Sequence, residues 1–163
     1  TIREYRDSDE AAVIELAREL QAHEMAMNPY LKPPSEIGPA YLAEIRRWCA
    51  EADGILLVSG GPQGGTGYAC LLALFPFLSL LASEGKDSEF AYQYALVADL
   101  VVTRSLRRRG IGTELLAECE RLARLKGRDI LRIGVMARNE EAHAAYRKFG
   151  FADRHYKLEK RLS

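Results

Sequence analysis

The sequence predicts a domain of the α/β or α+β class, with a largely antiparallel N-terminal half and a β-α-β-α-β unit near its end. Three observations predict it. A chain of 163 residues has the size of one domain, and no repeat or linker divides residues 1–163. Segments with strand periodicity and helix periodicity follow one another along the chain. Hydrophobic residues make up 48% of the sequence, which is enough to build a core.

The first half of the sequence predicts a strand, two helices and a β-hairpin, in that order. Residues 2–6 predict a short strand, and a helix follows from about Asp9 with Asp7 as its N-cap. The proline-rich stretch 28–39 predicts a loop. A second amphipathic helix follows it, because apolar residues recur there at helical spacing. These residues are Tyr41, Leu42, Ile45, Trp48 and Cys49.

Residues 55–59 and 67–75 predict two strands joined by a glycine-rich connection. That connection lacks the Lys-Ser/Thr ending of a phosphate-binding loop and leads into a strand, so it favours a simple turn. The sequence AHEM at 22–25 is not a zinc-binding helix, because Met27 occupies the position of the second histidine. No metal site is expected.

The second half predicts alternating strands and helices. A β-rich run at 94–102 precedes an amphipathic helix at about 110–126, which Gly127 ends. Residues 130–135 predict another strand. Asn139 then caps a short helix that Gly150 closes, and a last strand is expected through HYKLEKRL at 155–162.

The charge pattern excludes two classes of protein. Lys and Arg together number 23, and Asp and Glu together also number 23. This balance of charge argues against a disordered tail and against a polybasic nucleic-acid binder. Four arginines nevertheless crowd into the six positions 104–109, which indicates a small anionic ligand. We expect no nucleic-acid partner.

The cysteines and the apolar segments indicate the cellular compartment in which the protein is expected. Cys49, Cys70 and Cys119 are odd in number and never form a CxxC pair, so no disulfide framework is predicted and a reducing compartment is favoured. The apolar stretch 70–82 is too short to span a membrane and contains Pro76. We therefore expect a cytoplasmic protein with no membrane partner.

The segment LRRRGIGT at 106–113 lies between a predicted strand and a predicted helix. Unpaired amides and the positive end of the helix dipole make a helix N-terminus an anion site. Gly110 and Gly112 allow a ligand to approach the backbone, and the neighbouring guanidinium groups attract negative charge. The pattern favours a pyrophosphate cradle, with a plain basic helix start as the alternative.

Two motifs carry a resemblance to the GNAT superfamily of N-acetyltransferases. Arg107-x-x-Gly110-x-Gly112 resembles its R/Q-x-x-G-x-G/A acyl-CoA signature. The segment 139–151 is similar to its N-x-x-A-x-x-x-Y-x-x-x-G-F pattern, with matching residues at Asn139, Ala142, Tyr146, Gly150 and Phe151. The resemblance is close in the C-terminal half. It implies a GNAT-like fold: a central mixed, mostly antiparallel sheet with a splayed fourth and fifth strand pair and flanking helices.

The resemblance also implies an acetyl-CoA site without metal. The loop and helix start would hold the pyrophosphate, the fourth strand would pair with the pantetheine arm, and the fourth strand's amides can stabilise the thioester oxygen. Asn139 and its neighbours would contact the pantetheine or phosphates. The residues implied are Leu100, Val101, Val102, Arg107, Arg108, Arg109, Gly110, Ile111, Gly112, Thr113, Asn139 and Ala142.

Two residues are candidates for the chemistry. A protonated amine must lose a proton before it attacks a thioester, and Asp99 is the candidate base. The departing thiolate needs a proton donor, and Tyr146 is the candidate. The family often carries a glutamate one position before Asp99, where this chain has Ala98. The alternatives are a structural hydrogen bond for Asp99 and a core position for Tyr146.

The predicted activity is transfer of the acetyl group from acetyl-CoA directly to a primary amine in a ternary complex. The acceptor is a small molecule or a peptide, and a homodimer is a possible assembly. The alternative is a non-catalytic module of the same fold that senses acyl-CoA or recruits a partner.

Overall fold

The computed structural model describes residues 1–61, 64–73 and 94–162. It contains five strands and four α-helices in this described part, and three short 3-10 turns lie at 7–9, 34–36 and 104–106. The strands are β1 (Ile2–Glu4), β2 (Ile55–Gly61), β3 (Gly64–Leu72), β4 (Tyr94–Val102) and β5 (Ile130–Ile133). The helices are α1 (Glu10–Met25), α2 (Pro39–Glu51), α3 (Ile111–Leu125) and α4 (Glu140–Phe149).

The strands form one sheet in the order β1-β2-β3-β4-β5. Neighbouring strands are antiparallel except for β4 and β5, which run parallel. The parallel pair is connected by α3, as a crossover connection requires. The predicted mixed, mostly antiparallel sheet with flanking helices is confirmed.

Strands β4 and β5 separate after four residue pairs. Their pairing covers Tyr94 to Val97 on β4, whereas β4 itself continues to Val102. On its other edge β4 stays paired with β3 as far as Val102. One edge of residues 98–102 is therefore free of a neighbouring strand, which is the predicted splay.

A β-bulge interrupts the β3–β4 ladder. Cys70 pairs with Asp99 and the next residue, Leu71, pairs with Val97, so Ala98 has no partner on β3. A bulge reverses the alternation of side chains between the two faces of the sheet. Ala98 and Asp99 consequently lie on the same face, which is the face covered by α1 and α2.

The core has one layer on each side of the sheet. Helices α1 and α2 pack on one face through an apolar stripe, and α3 packs on the other. Residues of α1 and α2 in the first layer include Val13, Leu16, Leu42 and Ile45, and residues of α3 in the second include Leu115, Leu116 and Cys119. Burial of the valine, leucine and isoleucine side chains among them contributes roughly 2 kcal/mol each to stability.

The start of α1 differs from the prediction. Asp7 and Asp9 form a 3-10 turn, and the inward carboxylate belongs to Asp9, which is fully buried. Asp9 accepts two hydrogen bonds of 2.7 Å from Arg3 and one of 2.8 Å from the Arg6 amide. The Arg3 guanidinium holds the pKa of Asp9 below its usual range. Asp7 remains exposed and does not cap α1.

The predicted last strand is wrong. Residues 151–162 form no strand, and Tyr156 and Leu158 are 79% and 91% exposed. Asp153 is held against α4, with its carboxylate 2.7 Å from His143 Nε2 and 3.0 Å from Arg147 Nη1. Alternation of apolar and polar residues does not by itself form a strand, because backbone groups need a partner strand.

The other sequence expectations have mixed outcomes. As predicted, Gly127 follows the C-cap of α3 with a left-handed φ of 71° and Gly150 closes α4, and Asn139 caps α4 by accepting a 3.2 Å hydrogen bond from Ala142 N. The apolar stretch at 74–82, the predicted strand beyond Ala73 and the loop 83–90 lie outside the described residues. Within the described ranges, no helix has the length and apolar character that crossing a bilayer requires.

Candidate active site

A cavity of about 550 Å³ lies where β4 and β5 separate. Its walls come from the end of α1, the free edge of β4, the start of α3, the segment after β5 and one side of α4. Clefts of this size, lined by apolar surface with a few polar groups, are typical ligand sites. Segments far apart in sequence therefore converge on one cavity.

The cavity brings together nearly all of the predicted site residues. Both candidate catalytic residues, Asp99 and Tyr146, line it. Arg109 is the one predicted residue that does not. The predicted cofactor residues on the wall are Leu100, Val101, Val102, Arg107, Arg108, Gly110, Ile111, Gly112, Thr113, Asn139 and Ala142.

The loop before α3 has the backbone geometry of an anion cradle. Gly110 precedes the helix with a φ of 86°, a left-handed conformation that glycine adopts without steric cost. Arg108 also has a positive φ, 64°. A Cβ on Gly110 would meet no atom within 4 Å, so the space before the helix is open. The first-turn amides of α3 have no partner within the helix and can bind an anion.

Arg107 anchors this loop. Its Nε donates a 3.2 Å hydrogen bond to the carbonyl oxygen of Val102, the last residue of β4. A second tie comes from α1, where Glu19 accepts hydrogen bonds from the Thr103 hydroxyl (2.9 Å) and the Arg104 amide (3.0 Å). Glu19 is not among the site residues predicted from the sequence. These bonds fix the position of the turn between β4 and the cradle.

Asp99 lies at one end of the cavity with two tyrosine hydroxyls on one carboxylate oxygen. Tyr41 donates to Oδ2 at 2.7 Å and Tyr68 donates to the same atom at 3.1 Å. The other carboxylate oxygen of Asp99, Oδ1, takes part in neither of these two bonds. Burial of the carboxyl group raises the pKa of Asp99, although the two hydroxyl bonds oppose that rise. A carboxyl group with a raised pKa can take up a proton closer to neutral pH.

A second carboxyl group, Glu24, lines the same end of the cavity. Burial and the nearby charge of Asp99 raise the pKa of Glu24. Glu24 is not among the site residues predicted from the sequence, although a signal exists there. Leu20, His23 and Glu24 lie at i, i+3 and i+4 on α1 and share one face. All three residues line the cavity.

Tyr146 lies on the α4 wall, one turn after Ala142. Its ring packs edge-to-face against Phe151, with 6.0 Å between ring centroids. Burial and the charge of Glu24 raise the pKa of Tyr146 to about 12. The hydroxyl therefore stays protonated near neutral pH and can act as a hydrogen-bond donor.

Solved structures match this fold along its whole length. A variant of a Bacillus halodurans protein matches with a TM-score of 0.80 at 17% identity, covering 100% of this chain and 99% of the other. An aminoglycoside N-acetyltransferase in complex with CoA gives a TM-score of 0.68 at 13% identity, with coverage of 100% and 99%. At these identities the similarity establishes the fold alone.

A third match is an aminoglycoside 6'-N-acetyltransferase of Acinetobacter haemolyticus, with a TM-score of 0.68, 15% identity and coverage of 100% and 99%. No curated protein sequence gives a significant match. The model of the Acetyltransferase (GNAT) family matches residues 20–151 of this chain. That range contains the cradle, the free edge of β4 and the α4 motif. This chain is a member of the GNAT family of acetyltransferases.

Proposed function

We propose that this protein transfers the acetyl group of acetyl-CoA directly to a primary amine. The observation that carries the proposal is the single cavity that joins the anion cradle to Asp99 and Tyr146. The cradle suits a pyrophosphate, and the carboxyl groups at Asp99 and Glu24 suit an ammonium group. The two substrates would then meet in one ternary complex, where their reacting atoms are held close together.

The cofactor-binding residues fit CoA chemically. The first-turn amides of α3, with Gly110 and Gly112, would bind the pyrophosphate, and Arg108 would add charge-assisted hydrogen bonds. The free edge of β4 offers backbone N–H and C=O groups to the amide units of pantetheine. Asn139 would reach the same arm while it caps α4, since its side chain has capacity for more than one hydrogen bond.

The acceptor is proposed to be a cationic amine, either a small molecule or a peptide. Its ammonium group would approach Asp99 and Glu24, and one proton would pass to Asp99. The free nitrogen then attacks the thioester carbon and the C–S bond breaks. The nitrogen loses a second proton as the amide forms, and the departing sulfur takes up a proton to give the CoA thiol. An amide N–H on the free edge of β4 would stabilise the negative charge on the carbonyl oxygen.

The test of this proposal is the release of CoA thiol from acetyl-CoA with a panel of amines. The panel contains polyamines, aminoglycosides, amino acids and short peptides, with a control that lacks amine. We expect thiol release that depends on one class of amine. If acetyl-CoA raises the melting temperature of the protein but no amine is acetylated, the result would favour a non-catalytic acyl-CoA sensor. Ala98, where family members often have a glutamate, is the feature that favours that second candidate.

Tyr146→Phe should lower kcat about tenfold and leave CoA affinity unchanged. Tyr146 would donate a hydrogen bond to the departing sulfur. The expected loss of kcat is modest because a thiol has a pKa of about 8.5, so its thiolate is already an acceptable leaving group. Steady-state kinetics on the preferred amine measure the effect. Tyr156→Phe is the matched control, since Tyr156 is exposed in the tail. Equal kcat values for the two variants would exclude Tyr146 as the donor.

A further inference from the structure

Two cysteines that are distant in sequence meet behind the acceptor end of the cavity. Cys49 near the end of α2 and Cys70 in β3 have their sulfur atoms 3.7 Å apart, and both are free thiols. The third cysteine, Cys119, lies in the layer on the opposite face of the sheet. To form a disulfide, which needs about 2.05 Å between its sulfurs, the two atoms must approach each other by more than an ångström.

The backbones at this point pack tightly against each other. Gly54 separates the end of α2 from β3, and a Cβ on it would lie 2.9 Å from the Cys49 Cα and 2.6 Å from the Leu71 carbonyl oxygen. The Ala73 amide also donates a 2.9 Å hydrogen bond to the carbonyl oxygen of Ala52, just after α2. The helix end and the strand are thus held together independently of the two thiols.

The two thiols differ in a way that suits stepwise oxidation. Cys49 is partly exposed, whereas Cys70 is fully buried. The S–H of Cys70 can donate a hydrogen bond to the Cys49 sulfur, which lowers the pKa of Cys49. That same bond and burial raise the pKa of Cys70. The thiolate is the reactive form of cysteine, so the accessible partner is also the more reactive one.

We propose that Cys49 and Cys70 form a thiol-oxidation site. A peroxide converts the pair to a reversible disulfide, and the disulfide raises the KM for the amine acceptor. The Cys49 thiolate attacks one oxygen of hydrogen peroxide, giving a sulfenic acid and hydroxide, which takes a proton to become water. The Cys70 sulfur then attacks the Cys49 sulfur. The S–O bond breaks, the Cys70 proton leaves with the hydroxyl group as a second water, and the S–S bond forms.

The disulfide would reach the acceptor site through two connections. Cys70 pairs directly with Asp99 across β3 and β4. Helix α2, which carries Cys49, also carries Tyr41, the donor of the 2.7 Å hydrogen bond to Asp99. Drawing the sulfurs together by more than an ångström shifts α2 against β3 and disturbs the Tyr41–Asp99 bond. This consequence for the acceptor rests on the proposed function.

The first measurement is peptide mass mapping after treatment with hydrogen peroxide. A Cys119→Ser background removes the third thiol. We expect one crosslinked peptide pair containing Cys49 and Cys70, lighter by two hydrogen atoms and restored by dithiothreitol. Cys70→Ser, which lacks the resolving thiol, should instead accumulate oxidised Cys49 that a sulfenic-acid probe captures. Recovery of unmodified thiols, or of sulfinic acid at Cys49 without crosslink, would overturn the proposal.

The second measurement is kinetics on the same oxidised protein. We expect the KM for the amine to rise about fivefold, the affinity for CoA to stay constant, and dithiothreitol to reverse the change. Cys70→Ser should show no crosslink and no reversible rise in KM. A crosslink with unchanged KM would overturn the link to the acceptor. If no amine is acetylated at all, the proposed function fails, while the mass measurement still decides whether the thiols react as proposed.

Discussion

Asp99→Asn should lower kcat/KM for the amine about 100-fold, the lower end of the range for loss of a general base. Asparagine keeps the shape of aspartate, and its amide oxygen can still accept the hydroxyl of Tyr41. It cannot take up the proton of an ammonium group. The variant therefore separates a base from a structural hydrogen-bond acceptor. Activity close to that of the wild type would mean that Asp99 only positions the tyrosines.

The pH dependence of kcat/KM gives a second readout of Asp99. Burial raises its pKa, so the unprotonated form, which is the form proposed to act as a base, is lost as the pH falls through that raised value. The wild-type rate should therefore begin to fall at a higher pH than an ordinary carboxyl group, near about 4, would produce. Glu24→Gln is the matched control, because it removes the other carboxyl group of the pair. It should retain the acid limb that Asp99→Asn loses.

The stability of Asp99→Asn separates loss of catalysis from loss of folding. A carboxyl group whose pKa is raised on folding binds more protons in the folded state. Its contribution to stability is therefore lost as the pH rises from the unfolded pKa through the folded pKa. The neutral asparagine has no such loss, so we expect its melting temperature to change less between pH 5 and pH 7 than that of the wild type, and to be no lower than that of the wild type at pH 7. Thermal unfolding at pH 5 and pH 7 measures this directly.

The bulge at Ala98 shows why the placement of Asp99 was open in the sequence. Strict alternation along β4 would put Asp99 on the face of Val97, towards α3. The bulge turns Asp99 to the face of Tyr41 and Tyr68 instead. Nothing in the run YALVADLVV marks a bulge, because the extra residue is set by pairing with β3 and not by local propensity.

The motifs near α3 and α4 were predictable because local chemistry determines them. A glycine is required where φ is 86°, as at Gly110, and Asn139 caps α4 through its own side chain. The place of Glu24 at the cavity was less predictable, because it depends on the approach of Asp99 from a distant strand. The error at 155–162 has a similar origin, since a strand needs a partner that a local pattern does not reveal.

Gly112→Glu should weaken CoA binding by 100-fold or more while the protein stays folded. Gly112 lies in the first turn of α3 and lines the cavity. A Cβ there would lie 3.6 Å from the Val102 Cγ2, an ordinary contact, so a side chain is tolerated sterically. A carboxylate in the first turn also stabilises a helix by about 0.5 kcal/mol. The same charge would occupy and repel the proposed pyrophosphate position.

Isothermal titration with CoA measures the affinity, and two variants divide the effect into its causes. Gly112→Ala adds bulk without charge and should weaken binding far less than Gly112→Glu. Arg109→Glu changes the charge of the same loop by two, but Arg109 does not line the cavity. Its effect should therefore be small and should fade as salt rises, because screening removes interactions between separated exposed charges. Equal losses for Arg109→Glu and Gly112→Glu would mean that only the overall charge of the loop attracts CoA. A loss confined to Gly112→Glu would place the pyrophosphate at the start of α3.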